Sequence, residues 1–184
     1  MWRKATPSQR PKADAEQRGI DFAWKVHSAQ ESWTAKVDAK AAILFTVELV
    51  LLAALIAAHG HGKLIGRMHH GPRLIAEIGT ILAFVSSFLV GGAVIPRLGR
   101  TAQHKAQRFD HLIYFGHLRH WAPIELQKRL EKLTSADELE QLSRQLVEMS
   151  KRNWVKHRWL QAAMVGALFS VVLIAVSIYI STPT

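Results

Sequence analysis

The sequence predicts an all-α membrane protein with three transmembrane helices and a cytoplasmic helical bundle, the first and last spans running on from long cytoplasmic helices. Three observations predict it. Apolar stretches at Ala41 to Ala58, Leu74 to Ile95 and Trp159 to Ile180 each approach the length that crosses a bilayer core of about 30 Å. No Pro or Gly interrupts Glu31 to Ala58, where a charged amphipathic helix passes into an apolar one. Lys and Arg number 8 before Ala41, 3 between His59 and Arg73, 13 from Arg97 to Arg158 and none beyond, a segregation that the positive-inside rule reads as topology.

The expected order is then a disordered basic N-terminus (1–14), a cytoplasmic amphipathic helix (15–40), the first span (41–58) and an external loop (59–73). A second span (74–95), a cytoplasmic helical region (97–157), the third span (158–180) and an external tail (181–184) complete it. The first 20 residues are polar, which does not fit the early apolar core of a secretory signal, so the spans read as permanent. The N-terminus is placed in the cytoplasm and the C-terminus outside, in a multi-pass membrane protein.

Asp14 with Gln17 forms a capping-box pattern that marks a helix start. Beyond it Phe22, Val26, Ala29, Trp33 and Val37 recur at steps of three or four, an apolar face, with Lys25, Gln30, Glu31 and Lys36 largely off it. After the first span, four Gly, four His and a Pro predict a loop with a short turn at Leu64 to Met68. The second span places Gly79, Ala83, Ser87 and Gly91 on one stripe, and the third offers Gly166 and Ser170 beside Ala163 and Ala167. Small residues at such spacing let helix backbones approach closely in lipid, within a protomer or between protomers of a homo-oligomer.

Pro96 closes the second span, and residues 97 to 120 read as a basic, His-rich helical stretch broken near Gly116. Pro123 suits the first turn of a helix through Leu133, and Ser135 with Glu138 predicts the capping box of a long last helix. On that helix Leu139, Leu142, Leu146, Met149, Asn153 and Lys156 step by three and four, a seam that turns from apolar to polar just before the membrane.

The candidate functional residues follow from this layout. Lys36, Asp38 and Lys40 precede the first span, and Asn153 and Lys156 precede the third; packed spans would bring them into one polar layer able to hold a small anion. Each of the cations also reads as an ordinary membrane anchor, and Asn153 as a register-fixing polar residue. Asp38 is no anchor, so it should pair with a cation or accept hydrogen bonds from a ligand. Glu48 lies about 10 Å inside the first span, where an ionisable group faces protein or water, lining a pore or taking a packing role.

Other classes are excluded or disfavoured. The chain has no cysteine, which removes disulfides, thiolate catalysis and cysteine metal sites. Asp110, His111, His117 and His120 are unevenly spaced, a poor pattern for a metal centre, and no phosphate loop, nucleophile motif or paired catalytic carboxylates occur. No enzyme, cofactor or metal is expected. The net charge of +10 is mostly topological, and aromatics are not interleaved with a basic stripe, so a nucleic-acid polymer is not expected as a partner.

The junction TAKVDAKAAILFTVELVLLAALI and the later stretch YFGHLRHWAPIELQKRLEKLTSADELEQLSRQLVEMSKRNWVKHRWLQAAMVG resemble the Pycsar transmembrane effector family over about residues 20 to 180. A D-x-K-A junction, a Y-F-G-H stretch and a Lys ahead of the final span carry the resemblance. It implies an antiphage effector that responds to a cyclic pyrimidine nucleotide, cCMP or cUMP, made by a cognate cyclase, and then damages the inner membrane so that the infected cell stops growing or dies. It also implies importance for Asp38, Lys40, Ala41, Tyr114, Phe115, Gly116, His117 and Lys156. The residues alone leave two other readings open: a constitutive scaffold that recruits a soluble partner, and a small ion or proton channel using Glu48.

Overall fold

The computed structural model describes residues 10–60, 62–95 and 101–182. Of the described residues 87 % are helical and none is in a strand, in agreement with the all-α expectation. Among the described residues six helices follow in order: α1 (Arg10–Ala58), α2 (His70–Val94), α3 (Thr101–Ala106), α4 (Phe115–Leu118), α5 (Pro123–Leu130) and α6 (Ser135–Ser181), with 3-10 turns at Ile65–Arg67 and Arg108–Asp110. Helices α1, α2 and α6 are long and apolar enough to cross a membrane.

The described residues of 1–34 and 97–153 form one compact unit, and those of 35–96 and 154–184 form another. Helices α1 and α6 belong to both. We call these the polar unit and the membrane unit.

In the polar unit α1 and α6 run parallel, because successive residues of one pair with successive residues of the other. Trp24 Nε1 donates to Glu138 Oε1 at 3.0 Å, Gln30 Nε2 to Ser150 Oγ at 2.8 Å, and Thr34 Oγ1 to Asn153 Oδ1 at 2.6 Å. Ile20, Ala23 and Leu142 make the buried core, joined by Leu139, Leu146 and Ile113. The α6 seam therefore falls where its spacing predicts. The α1 face does so only in part: Val37 is buried and Val26 and Ala29 half-buried, but Phe22 is 68 % and Trp33 57 % exposed, while Ile20, Ala23 and Gln30 are buried. Bulk misleads here, since the face that fits against α6 is the one whose polar members, Gln30 and Thr34, find hydrogen-bond partners there.

Helix boundaries differ from expectation in four places. Helix α1 is already formed at Arg10, the first described residue, so Asp14 does not cap it and residues 10 to 13 are helical rather than disordered; residues 1–9 of that expectation lie outside the described residues. Helix α5 ends at Leu130, short of Leu133. Helix α6 is capped one residue early: the Thr134 N–H and Oγ1 donate to Asp137 Oδ2 at 3.0 and 2.8 Å, and Asp137 N donates back to Thr134 Oγ1 at 3.2 Å. This reciprocal box leaves Glu138 to accept from Trp24. The break in the His-rich stretch lies between α3 and α4, and Gly116 sits inside α4. Pro96 falls outside the described residues; Ile95 before it is extended, the conformation proline imposes on its predecessor.

In the membrane unit α2 packs antiparallel to α6. Ser86 Oγ lies 2.6 Å from the Ala163 carbonyl, Ser170 Oγ donates to the Gly79 carbonyl at 2.8 Å, and Ser177 Oγ donates to the Pro72 carbonyl at 2.7 Å. One apolar cluster joins Val37, Ala41, Val90, Leu160 and Ala163, and a second joins Leu52, Leu55, Ile65, Ala76 and Ala83. Only 17 to 33 % of the most apolar window of each spanning helix is buried within the chain. The rest, including Ile43, Val50, Phe88 and Leu168, is apolar surface of the kind lipid covers.

Candidate functional site

The polar unit carries an open cavity of 770 Å³. Its walls come from three separated segments: His27 and Glu31 on α1, His104 to His117 around α3 and α4, and Ser143 to Arg152 on α6. The middle segment is held down by one side chain of α6. Gln141 Oε1 accepts from the Leu112 N–H at 3.0 Å, and Gln141 Nε2 donates to the Asp110 carbonyl at 2.9 Å, so a single amide satisfies backbone groups on both sides of His111.

Four rings pack on one another in this wall. His117 stacks on His111 at 4.6 Å with 19° between planes, lies 4.6 Å from His104, and meets Tyr114 edge-on at 5.5 Å. The Arg152 guanidinium sits 5.0 Å over the Tyr114 ring. Tyr114 is the residue that starts α4, its carbonyl accepting from the His117 N–H at 3.0 Å, which places both rings on the same turn. Gly116 permits this: a Cβ there would overlap the Tyr114 ring and approach His104 Nδ1 to 2.9 Å.

The electrostatics keep His117 uncharged. Burial first, then the neighbouring His111 and His104 and the Arg152 cation, push its pKa down to about 4. At the rim His120 is also lowered, by desolvation and by Arg119 and Lys105. The buried Nδ1 atoms of His104 and His117 have no hydrogen-bond partner among the described residues. No group of three or more His, Asp or Glu among the described residues is placed to hold a metal ion.

The residues singled out from sequence separate into distinct places. Tyr114 and His117 line the cavity. Asn153 lies at the α1–α6 seam of the polar unit, accepting from Thr34. In the membrane unit Lys156 Nζ donates to both oxygens of Asp38, at 2.7 and 3.0 Å, while Lys36 and Lys40 are exposed. Of the two roles open to Asp38, the structure shows it paired with a cation. Arg152, His104 and His27 were not legible as site residues, because no periodicity links segments so far apart in the chain.

Glu48 is 1 % exposed and packed among the spans. Ser86 Oγ donates to Glu48 Oε1, and the same hydroxyl contacts the Ala163 carbonyl, so a group from each of α1, α2 and α6 meets at one point. Gly79 faces α6 so closely that a Cβ would lie 3.0 Å from Ile174 Cγ1 and 3.2 Å from the Ser170 carbonyl. Ala83 and Ser87 are buried on the same helix, Gly91 faces Phe45, and Gly166 faces Ser86. Ser86 and Ser177, which complete the α2–α6 bonds, escaped notice in the sequence because serine is common in membrane helices.

A family model, the Pycsar effector protein domain (PycTM), matches residues 22–181. No curated protein and no solved structure matches the chain. Transmembrane effectors of this kind are not known as enzymes. The match spans both units and all three apolar helices, and the chain belongs to the PycTM family of antiphage transmembrane effectors.

Proposed function

We propose that this effector is switched by a cyclic pyrimidine nucleotide, cCMP or cUMP, supplied by a cognate cyclase, and that the activated protein breaches the bacterial inner membrane. The polar unit then faces the cytoplasm and the C-terminus lies outside, in keeping with the distribution of Lys and Arg. The protein works as a homo-oligomer, whose further copies would cover apolar surface that one chain leaves exposed.

One observation carries the reading. Helices α1 and α6 each supply side chains to the polar unit and each run on without interruption as a membrane span. A ligand that orders the polar unit thereby acts on the same two helices that cross the bilayer. Moving a two-state equilibrium from 1:99 to 99:1 requires about 5.5 kcal/mol of differential binding, which a few charge-assisted bonds per copy supply across an oligomer.

Glu48 supports an intramembrane polar tie rather than a pore lining, being enclosed by α2 and α6 within one chain. The test is release of a trapped dye from liposomes bearing the purified protein, with cCMP, cUMP, cAMP and cGMP added in turn. Release with a cyclic pyrimidine and not with the purines is expected. Silence with all four, from inserted and folded protein, overturns the reading in favour of a scaffold for a soluble partner.

A further inference from the structure

Two arginines line the cavity, Arg144 and Arg152, and the second has the more unusual setting. Arg152 lies over the Tyr114 ring and has no carboxylate within 4.0 Å among the described residues. Of the other charged groups of the cavity wall, Arg144 pairs with Glu140 and Glu148 with Lys151, Glu148 also feeling the Arg152 charge, while Glu31 lies 3.7 Å from His27. Beside Arg152 stand flat ring surfaces, and two buried imidazole nitrogens without partners among the described residues. Leaving a buried polar atom unpaired is costly, and such atoms mark places where another group completes the bonding. The 770 Å³ volume lies within the range of about 300 to 1,000 Å³ typical of small-molecule sites.

We infer that this cavity binds a planar heteroaromatic ring carrying a single phosphodiester charge, the phosphate held by Arg152 and the ring packed against Tyr114 and the histidines. The assignment rests on the reading that the effector senses a cyclic mononucleotide, and it names where and by which groups. A neutral imidazole both donates and accepts, so His117 is suited to an uncharged base edge while Arg152 answers the phosphate. None of Lys36, Asp38, Lys40, Asn153 or Lys156 lines the cavity. These five therefore serve the helix seams and the membrane approach instead of the ligand.

The test is calorimetric titration of the full-length protein in detergent micelles with cCMP, cUMP and the uncharged nucleosides cytidine and uridine. In the wild type the cyclic nucleotide binds at least about tenfold more tightly than its nucleoside, as a charge-assisted contact gives. In Arg152→Gln, a change at an exposed position, that ratio falls to near one while nucleoside binding stays the same. Tyr114→Leu weakens nucleotide and nucleoside alike by about tenfold, the loss of a stacking face. Lys36→Gln and Lys40→Gln leave all affinities unchanged. Wild-type binding that survives Arg152→Gln and Tyr114→Leu overturns the cavity and leaves cyclic-nucleotide sensing standing. No binding by the wild type removes the sensing reading, and the cavity assignment with it.

Discussion

Lys156 Nζ holds both carboxylate oxygens of Asp38, joining α6 to α1 within the membrane unit. Each group satisfies the other, so the pair stabilises helix pairing without any ligand. The side chains are 27 and 43 % exposed, which limits the pair to about 0.5–1 kcal/mol. Asp38→Ala and Lys156→Ala are each expected to lower the midpoint of thermal unfolding in micelles by a few degrees. The exchanged pair, Asp38→Lys with Lys156→Asp, recovers most of the loss; two unrelated contributions would add instead.

Gly79 tests the close approach of α2 to α6. Gly79→Leu drives a large side chain into Ile174 and the Ser170 carbonyl and is expected to cost about 1–3 kcal/mol. Ser170→Ala removes one buried hydrogen bond and costs about 1 kcal/mol. Denaturant titration of the detergent-solubilised protein measures both.

At Glu48 the discriminating comparison is amide against alanine. Glu48→Gln keeps the volume, and its amide N–H can donate to the Ser86 oxygen, so stability stays within about 1 kcal/mol of wild type. Glu48→Ala leaves a void among three helices and is expected to cost about 2–4 kcal/mol. Equal losses in the two variants would show that charge, and not hydrogen bonding and packing, is what the position needs.

The stacked histidines give the polar unit an acid-sensitive edge. Because the His117 pKa falls from 6.5 to about 4 on folding, the unfolded chain binds a proton in that interval that the folded chain refuses. Stability from this group is fully present above pH 6.5 and is lost as pH falls toward 4, by up to roughly 3 kcal/mol. The lowered carboxyls of Asp137, bonded to Thr134, and Glu148, bonded to Lys151, act in the same direction at lower pH. Unfolding followed by circular dichroism across pH 4 to 7 checks the trend, which His117→Gln should flatten.

Gly116→Ala is expected to displace the Tyr114 ring or His104 and to open the ring cluster. Tyrosine fluorescence and one-dimensional proton spectra of the imidazoles report the change. Spectra identical to wild type would mean that the turn accommodates a methyl group and that glycine is not required there.

How much of this was legible in the sequence depended on whether the deciding contacts were periodic. The three spans and the α6 seam from Leu139 to Leu146 follow from hydropathy and spacing, and the structure contains them. On α1 the same reasoning chose Phe22 and Trp33 over Ile20, Ala23 and Gln30, since burial of Gln30 depends on a serine 120 residues away. The α6 cap moved by one residue because Thr134 with Asp137 and Ser135 with Glu138 are equally good boxes, and Trp24, far along the chain, takes up Glu138. Tyr114 and His117 were marked out by a motif. Their setting was not, because it joins α1, the α3–α4 segment and α6 through contacts that leave no repeat.

The bonds at Ser86 with Ala163, Gly79 with Ser170 and Pro72 with Ser177 advance seven residues at a time along both helices, in opposite directions. They behave like teeth of a rack. A slide of α6 along α2 by one residue, about 1.5 Å, unseats all three together, and the next matching register lies about 10 Å away. Intermediate positions leave hydroxyl and carbonyl groups unmet in a medium without water. Rearrangement between these two spans is therefore all or none, so a partial stimulus leaves them in register instead of sliding them by degrees.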